Sequence, residues 1–223
     1  IIPTLNESKI IVEQVRSLQH KAAGADFEIV VVDAKSPDRT AELAEQAGAR
    51  VITIDKSCRA KQMNAGAAAA TGDIYYFVHA DLTPPDSFVQ DILTGVRAGK
   101  SYGCYQVCFD KPVKGLQFNS SLSRYQGIFF RGGDQSLYMT RAFFDKIGGF
   151  DNDTVIMEDY EILLRAKKYE KINIMPKKVI ISARKMEQNN YFRTNVINVL
   201  VFTLFFLGAS QKTLVNIYQK YVK

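Results

Sequence analysis

Before residue 100 the chain alternates four times between a short apolar run and a stretch with helical character. Ile1-Ile2 reads as the end of a strand, and residues 9–22 then set Ile10, Ile11, Val15 and Leu18 on one helical face. Asn6 or Ser8 is the candidate cap of that helix. "FEIVVVD" at 27–33 is continuously apolar and closes on an acid, as a parallel strand buried on both faces does. "SPDRTAELAEQAGA" follows, with Ser36 or Asp38 as cap and Gly48 as stop. "RVITI" (50–54), an Ala-rich helix (59–70), "IYYFV" (74–78) and a helix near 85–97 complete the series. The alternation predicts an α/β fold, a mostly parallel central sheet flanked by helices. Ligands of such sheets sit beyond the C-terminal ends of the strands. Pro3–Glu7, Asp33 and Asp81 all fall there, so three distant segments are predicted to converge on one rim.

The second half is less regular. "SYGCYQVCFD" reads as an antiparallel strand, 113–129 as a helix, and 132–140 as a glycine turn into a strand. "RAFFDKIGGFD" reads as helix, turn and loop, "MEDYEILLRAKKY" (157–169) as a helix, and 177–183 as a last strand. The chain's 223 residues suit one large domain, or one with a tail. Its three cysteines, Cys58, Cys104 and Cys108, form no C-x-x-C pair and point to a reducing compartment, hence a cytoplasmic protein.

Several chemistries are disfavoured. There is no Walker G-x-x-x-x-G-K-S/T, no G-x-G-x-x-G after the first strand and no G-x-S-x-G. His20 and His79 with scattered cysteines do not make a typical zinc site. What remains is a set of acids. Asp33 and Asp81 are either turn residues or functional carboxylates at neighbouring strand ends. Glu158 and Asp159 suit the helix dipole of a first turn, and equally a third acidic group on the same rim. Such carboxylates hold hard cations or perform acid–base work. Arg59 and Lys61 open a helix, where they face either phosphate or solvent. His79 lies two residues before Asp81, as a second ligand contact or as a packed histidine.

Five stretches taken together resemble family 2 glycosyltransferases of the GT-A fold: "IIPTLNE", "VVVDAKSPDRT", "CRAKQMNAGAAAATGD", "FVHAD" and "GGFD…MED". They occur in that family's order and cover nearly all of residues 1–165. The pattern is similar to a bacterial branch with "HAD" in place of D-x-D, followed by Gly133-Asp134-Gln135 and Ala183-Arg184-Lys185-Met186-Glu187. The resemblance implies a catalytic unit over 1–185, with a nucleotide-binding half (1–100) and an acceptor half (101–185). It assigns Pro3, Asn6, Glu7, Asp33, Arg59, Asn64 and Arg184 to the nucleotide-sugar. It gives Asp81 to a divalent cation, Mn2+ or Mg2+, and Asp134 and Gln135 to the acceptor. Asp159, in the Glu158-Asp159 pair, becomes the base of an inverting transfer from a nucleotide-diphosphate sugar (a UDP-sugar first) to a lipid-linked or saccharide acceptor. His79 departs from the pattern by replacing the first acid of D-x-D, and Met186 by replacing an aromatic residue. An inactive nucleotide-sugar binder and a nucleotidyltransferase of related fold are the rival readings. "PTLNE" lacks the glycine and lysine that the second would carry after its first strand.

The tail, 186–223, is predicted to be a helical extension. Residues 171–223 hold nine Lys/Arg and one acid, Glu187, a sum of +8, while the rest of the chain sums to −2, giving the net +6. "TNVINVLVFTLFFLGASQ" (194–211) is uncharged, and short for a membrane span. It suits an interfacial helix pair on a membrane surface, or packing onto the domain or a second subunit as a homo-oligomer. Nucleic acid is not expected, since no recognition module accompanies the basic residues.

Overall fold

The computed structural model describes residues 1–55, 58–111, 123–128, 131, 136–182 and 191–221. Three strands, β1 (Ile2–Thr4), β2 (Val30–Asp33) and β3 (Arg50–Thr53), form a parallel sheet in the order β1-β2-β3. β4 (Ile74–Phe77), β5 (Leu82–Thr83), β6 (Tyr102–Phe109), β7 (Leu137–Thr140) and β8 (Asn173–Ile181) form a second, ordered β4-β7-β6-β8-β5. Two bonds join the sheets in the parallel pattern: Ile1 N donates to the Tyr76 carbonyl (2.8 Å), and Val78 N donates to the Ile1 carbonyl (3.1 Å). The rims of β1, β2 and β4 therefore lie side by side.

The parallel expectation holds from β1 to β4, and the second half is mixed. β7 runs antiparallel to β4 and β6, while β6 and β8 are parallel. β8 begins at Asn173, ahead of the expected 177, because the chain bulges where Pro176 has no N–H to give the ladder. The register jumps from Tyr105↔Met175 to Gln106↔Lys178 at that point. The helix expected at 113–129 lies largely outside the described residues, and the described part, 123–128, contains no α-helix.

Helices cover both faces. α1 (Ile11–Lys21), α2 (Thr40–Gln46) and α4 (Phe88–Arg97) bury Ile11, Val15, Leu18, Ala44, Phe88 and Ile92 in one core. α3 (Arg59–Ala69), α5 (Arg141–Ile147) and α6 (Glu158–Ala166) bury Met63, Ala67, Phe143, Phe144 and Ile162 in the other. β4 alternates between the two: Tyr75 and Phe77 enter the second core, Tyr76 and Val78 the first. α5 is capped by Thr140, whose hydroxyl accepts from Phe143 N, and ends at Gly148, with φ of 79°, where glycine avoids the Cβ penalty. α7 (Tyr191–Phe206) and α8 (Gln211–Tyr221) form a hairpin packed through Ile197, Val201 and Leu214 against Ile156 and Met157. All three thiols are free; Cys58 and Cys104 are buried and Cys108 half-buried.

Candidate active site

The rim is built by side chains that bind backbone at the strand ends. Gln62 of α3 donates to the Thr4 and Val32 carbonyls (2.8 Å each), at the last residue of β1 and the last but one of β2. Gln14 of α1 donates to the His79 and Leu82 carbonyls (3.2 and 2.8 Å), fixing the turn that carries His79-Ala80-Asp81. Both amides are buried, and buried polar groups are paired in folded proteins.

Asp33 is 1% exposed. Its Oδ1 accepts from the Thr4 and Ser36 hydroxyls (3.0 and 2.6 Å), and Oδ2 accepts from Ser36 N (2.7 Å). Ser36 Oγ in turn accepts from Asn6 N (2.8 Å). The next two amides of the first loop are held the same way: Glu7 N donates to Thr40 Oγ1 (2.9 Å) and Ser8 N to Asp38 Oδ2 (3.1 Å). Burial works against the Asp38 carboxylate, but the donors of Thr40 and Ser8 outweigh it and hold its pKa at about 2. Asn6 and Ser8 are therefore not side-chain caps of α1, which begins after Ile10 with no side-chain cap bond. Asn6 (φ 58°) and Lys35 (φ 52°) take left-handed backbone where the two loops meet. Pro3 is buried at the base of this pair, the Asn6 side chain is exposed, and Glu7 is half-buried.

A cleft at the C-terminal ends of β1 and β4 is lined by Pro3, His79, Cys104, Ser136 and Asp159. It unites β1, the start of the His79–Asp81 turn and the first turn of α6. Beside it, Glu158 is 4% exposed with its Oε1 3.6 Å from Arg59 Nη1, so the start of α3 is tied to the start of α6. Asp81 is half-buried in the turn, and its carbonyl accepts from Ser182 N (3.1 Å). Asn64 behaves otherwise. Its Nδ2 donates to the Phe150 carbonyl and Asn152 Oδ1 (2.7 and 2.9 Å), and its Oδ1 accepts from Phe150 N (2.9 Å). It braces the turn after Gly148-Gly149. Asp134, Gln135 and Arg184 lie outside the described residues.

Met157, Gln211, Tyr160 and Arg131 also shape the site, and no sequence pattern marks them. Met157, just before the acid pair, has φ of 69°, a costly backbone for a side chain with Cβ. The side-chain carbonyl of Gln211, at the start of α8, accepts from Val155 N and Ile156 N (3.0 and 3.2 Å) and holds the approach to it. Tyr160 meets Phe202 of α7 edge-on at 5.1 Å. Buried Arg131, whose Nη1 donates to Cys104 Sγ (3.1 Å), backs the cleft from the other side.

Residues 1–150 match Glycosyl transferase family 2. The chain belongs to that family. The match ends before Glu158 and Asp159, so their placement comes from the fold. A dolichol-phosphate mannosyltransferase of Pyrococcus furiosus is 30% identical over 104 residues, 44% of this chain and 30% of the relative. The chain aligns with about a third of the length of the curated relatives it matches. Among solved structures, S. aureus TarS 1-349 is similar with TM-score 0.67 and 17% identity, over 97% of this chain and 67% of that one. A mannosyltransferase from Pyrobaculum calidifontis, in complex with GDP-Man and Mn2+, is similar with TM-score 0.66 and 19% identity, over 90% and 60%. These likenesses establish the GT-A fold that the family 2 motifs implied.

Proposed function

We propose that this chain transfers a sugar from a nucleotide-diphosphate sugar, a UDP-sugar first, to a hydroxyl of a lipid-linked or saccharide acceptor, with inversion. The observation that carries this reading is the cleft itself: Asp159 faces the same space as Pro3 and His79, at strand ends of a family 2 chain. Asp159 takes the proton of the acceptor hydroxyl. The oxygen then forms its bond to the anomeric carbon, and the bond to the diphosphate breaks, the nucleotide diphosphate leaving with the electron pair. One base on one side and one leaving group on the other give inversion.

The donor lies along the Pro3–Glu7 loop and the start of α3. Arg59, about half exposed, has one guanidinium nitrogen beside Glu158 and turns the rest of the guanidinium toward the diphosphate. Asp33 meets the base through the remaining lone pair of Oδ2, which requires the Lys35-Ser36 turn to yield. Asn64 contributes from behind by fixing the Phe150 turn. Asp134 and Gln135 face the acceptor and Arg184 the diphosphate, on the sequence pattern alone.

Among the described residues, no group of three or more His, Cys, Asp or Glu is arranged to hold a metal ion. Asp81 would nevertheless suit a Mn2+ or Mg2+ ion beside the diphosphate, since carboxylate is a hard donor. Bound in that way, the ion would neutralise charge on the leaving group.

The test is Asp159→Asn with donor binding measured alongside turnover. We expect turnover to fall at least about 100-fold, the scale of a lost general base, with nucleotide affinity within about threefold, roughly 0.7 kcal/mol. Full turnover in the variant would remove Asp159 as the base.

A further inference from the structure

We propose that the outer face of α7 docks on an anionic phospholipid surface. α7 carries apolar side chains on its packed side and on its outer side, with Asn198 and Thr203 as the exposed polar interruptions. One side, through Ile197 and Val201, packs on Leu214 and the 156–157 segment. The other side presents Val196, Val199, Leu200, Phe206 and Leu207 to solvent, with Val199 65% and Leu207 77% exposed. Val196, Val199 and Leu200 share one side of the helix with Phe206, Thr203 interrupts them, and Leu207 continues that side just past the helix end. So large an apolar stripe on a chain's surface marks a contact.

The surrounding charge identifies the partner. Residues 191–221 contain Arg193, Lys212 and Lys220 and no acid. Arg193 and Lys220 lie over the Tyr221 ring at 5.8 and 5.2 Å, which places a cation–aromatic cluster at one end of the hairpin, and Lys212 lies at the other, near Leu207. An apolar stripe with basic ends and an amphipathic aromatic ring suits a headgroup boundary. A second copy of the chain fits less well, because a two-fold contact sets like charges against like. No helix among the described residues is long and apolar enough to cross a membrane. The 16 residues of α7 span about 24 Å, so the helix would lie along the surface.

The chain has no tryptophan, so Leu207→Trp supplies a single reporter at the most exposed point. Its emission is followed with phosphatidylcholine vesicles, with or without about one third phosphatidylglycerol. Co-sedimentation of the unaltered chain runs in parallel. We expect a blue shift on the anionic vesicles and about 100-fold weaker binding without phosphatidylglycerol, each of three basic residues contributing roughly fivefold. Salt, or Gln in place of Arg193, Lys212 and Lys220, should abolish the difference. Val199→Glu should abolish binding with the thermal midpoint unchanged. No binding to either vesicle would overturn the proposal. So would a lipid-independent shift that grows with protein concentration alongside a dimer in sedimentation, which would make the partner a second copy. None of these readouts uses sugar transfer, so they stand or fall apart from it.

Discussion

Gln211 gives the clearest link between the C-terminal hairpin and the acid pair. Its carbonyl oxygen receives two N–H groups from the segment that runs into Met157, whose left-handed backbone resists its position. A left-handed non-glycine residue costs about 1–3 kcal/mol, so the clamp and the strain are of similar size. Gln211→Met keeps length and removes the acceptor. Each bond is worth about 1 kcal/mol. Val155 is 42% exposed, so water can satisfy part of the loss. The expected cost is about 1–2 kcal/mol, or about 5–30-fold in the population of the ordered segment. Hydrogen exchange across 154–162 should accelerate by that factor, and kcat should fall by up to as much with donor KM unchanged. Gln211→Glu, which retains acceptor oxygens, should recover most of both. Unchanged exchange in Gln211→Met would refute the clamp. Faster exchange with normal kcat would show that the clamp does not serve the acid pair.

Other outcomes follow from the geometry. Because Asp38 has a lower pKa in the folded chain than the ordinary value of about 3.9, its stabilisation is complete above about pH 4 and is lost as pH falls through about 2. Acid unfolding curves of Asp38→Ala should therefore lack that component and converge with the parent near pH 2. At Gly103 an added Cβ would lie 2.4 Å from the Asn173 carbonyl oxygen and 2.5 Å from Tyr138, and the strand backbone cannot retreat. Gly103→Ala should lower stability by about 1–3 kcal/mol, read as a shifted denaturant midpoint. An unshifted midpoint would mean that β6 and β8 are not so close.

The first hundred residues were legible because strict alternation leaves few arrangements, and an acid closing an apolar run marks a strand's rim. Asp159 was legible only through the family pattern, since helix-dipole placement explains it equally well. The amides were not legible. Gln14, Gln62, Asn64 and Gln211 sit on helices, where glutamine and asparagine usually face solvent, and nothing local signals that a strand end needs their N–H or C=O. Asn64 was expected beside the nucleotide and is found bracing the Phe150 turn, because its partners lie 86 residues away in sequence. Pro176 reads as a strand boundary in the sequence, whereas the sheet absorbs it as a bulge and β8 starts at Asn173. Of the readings of the tail, packing onto the domain is observed. One face of the hairpin packs on the chain's own 156–157 segment and the opposite face stays exposed.

The most direct measurement of the central claim is donor binding and slow donor hydrolysis across UDP-, GDP- and dTDP-sugars. It is made with Mn2+, Mg2+ or chelator, on the unaltered chain and on Asp81→Asn. One nucleotide-sugar should bind and hydrolyse with metal, lose both in chelator, and lose them equally in Asp81→Asn. Binding of no donor under any metal, or metal-dependent turnover that survives Asp81→Asn, would contradict the account.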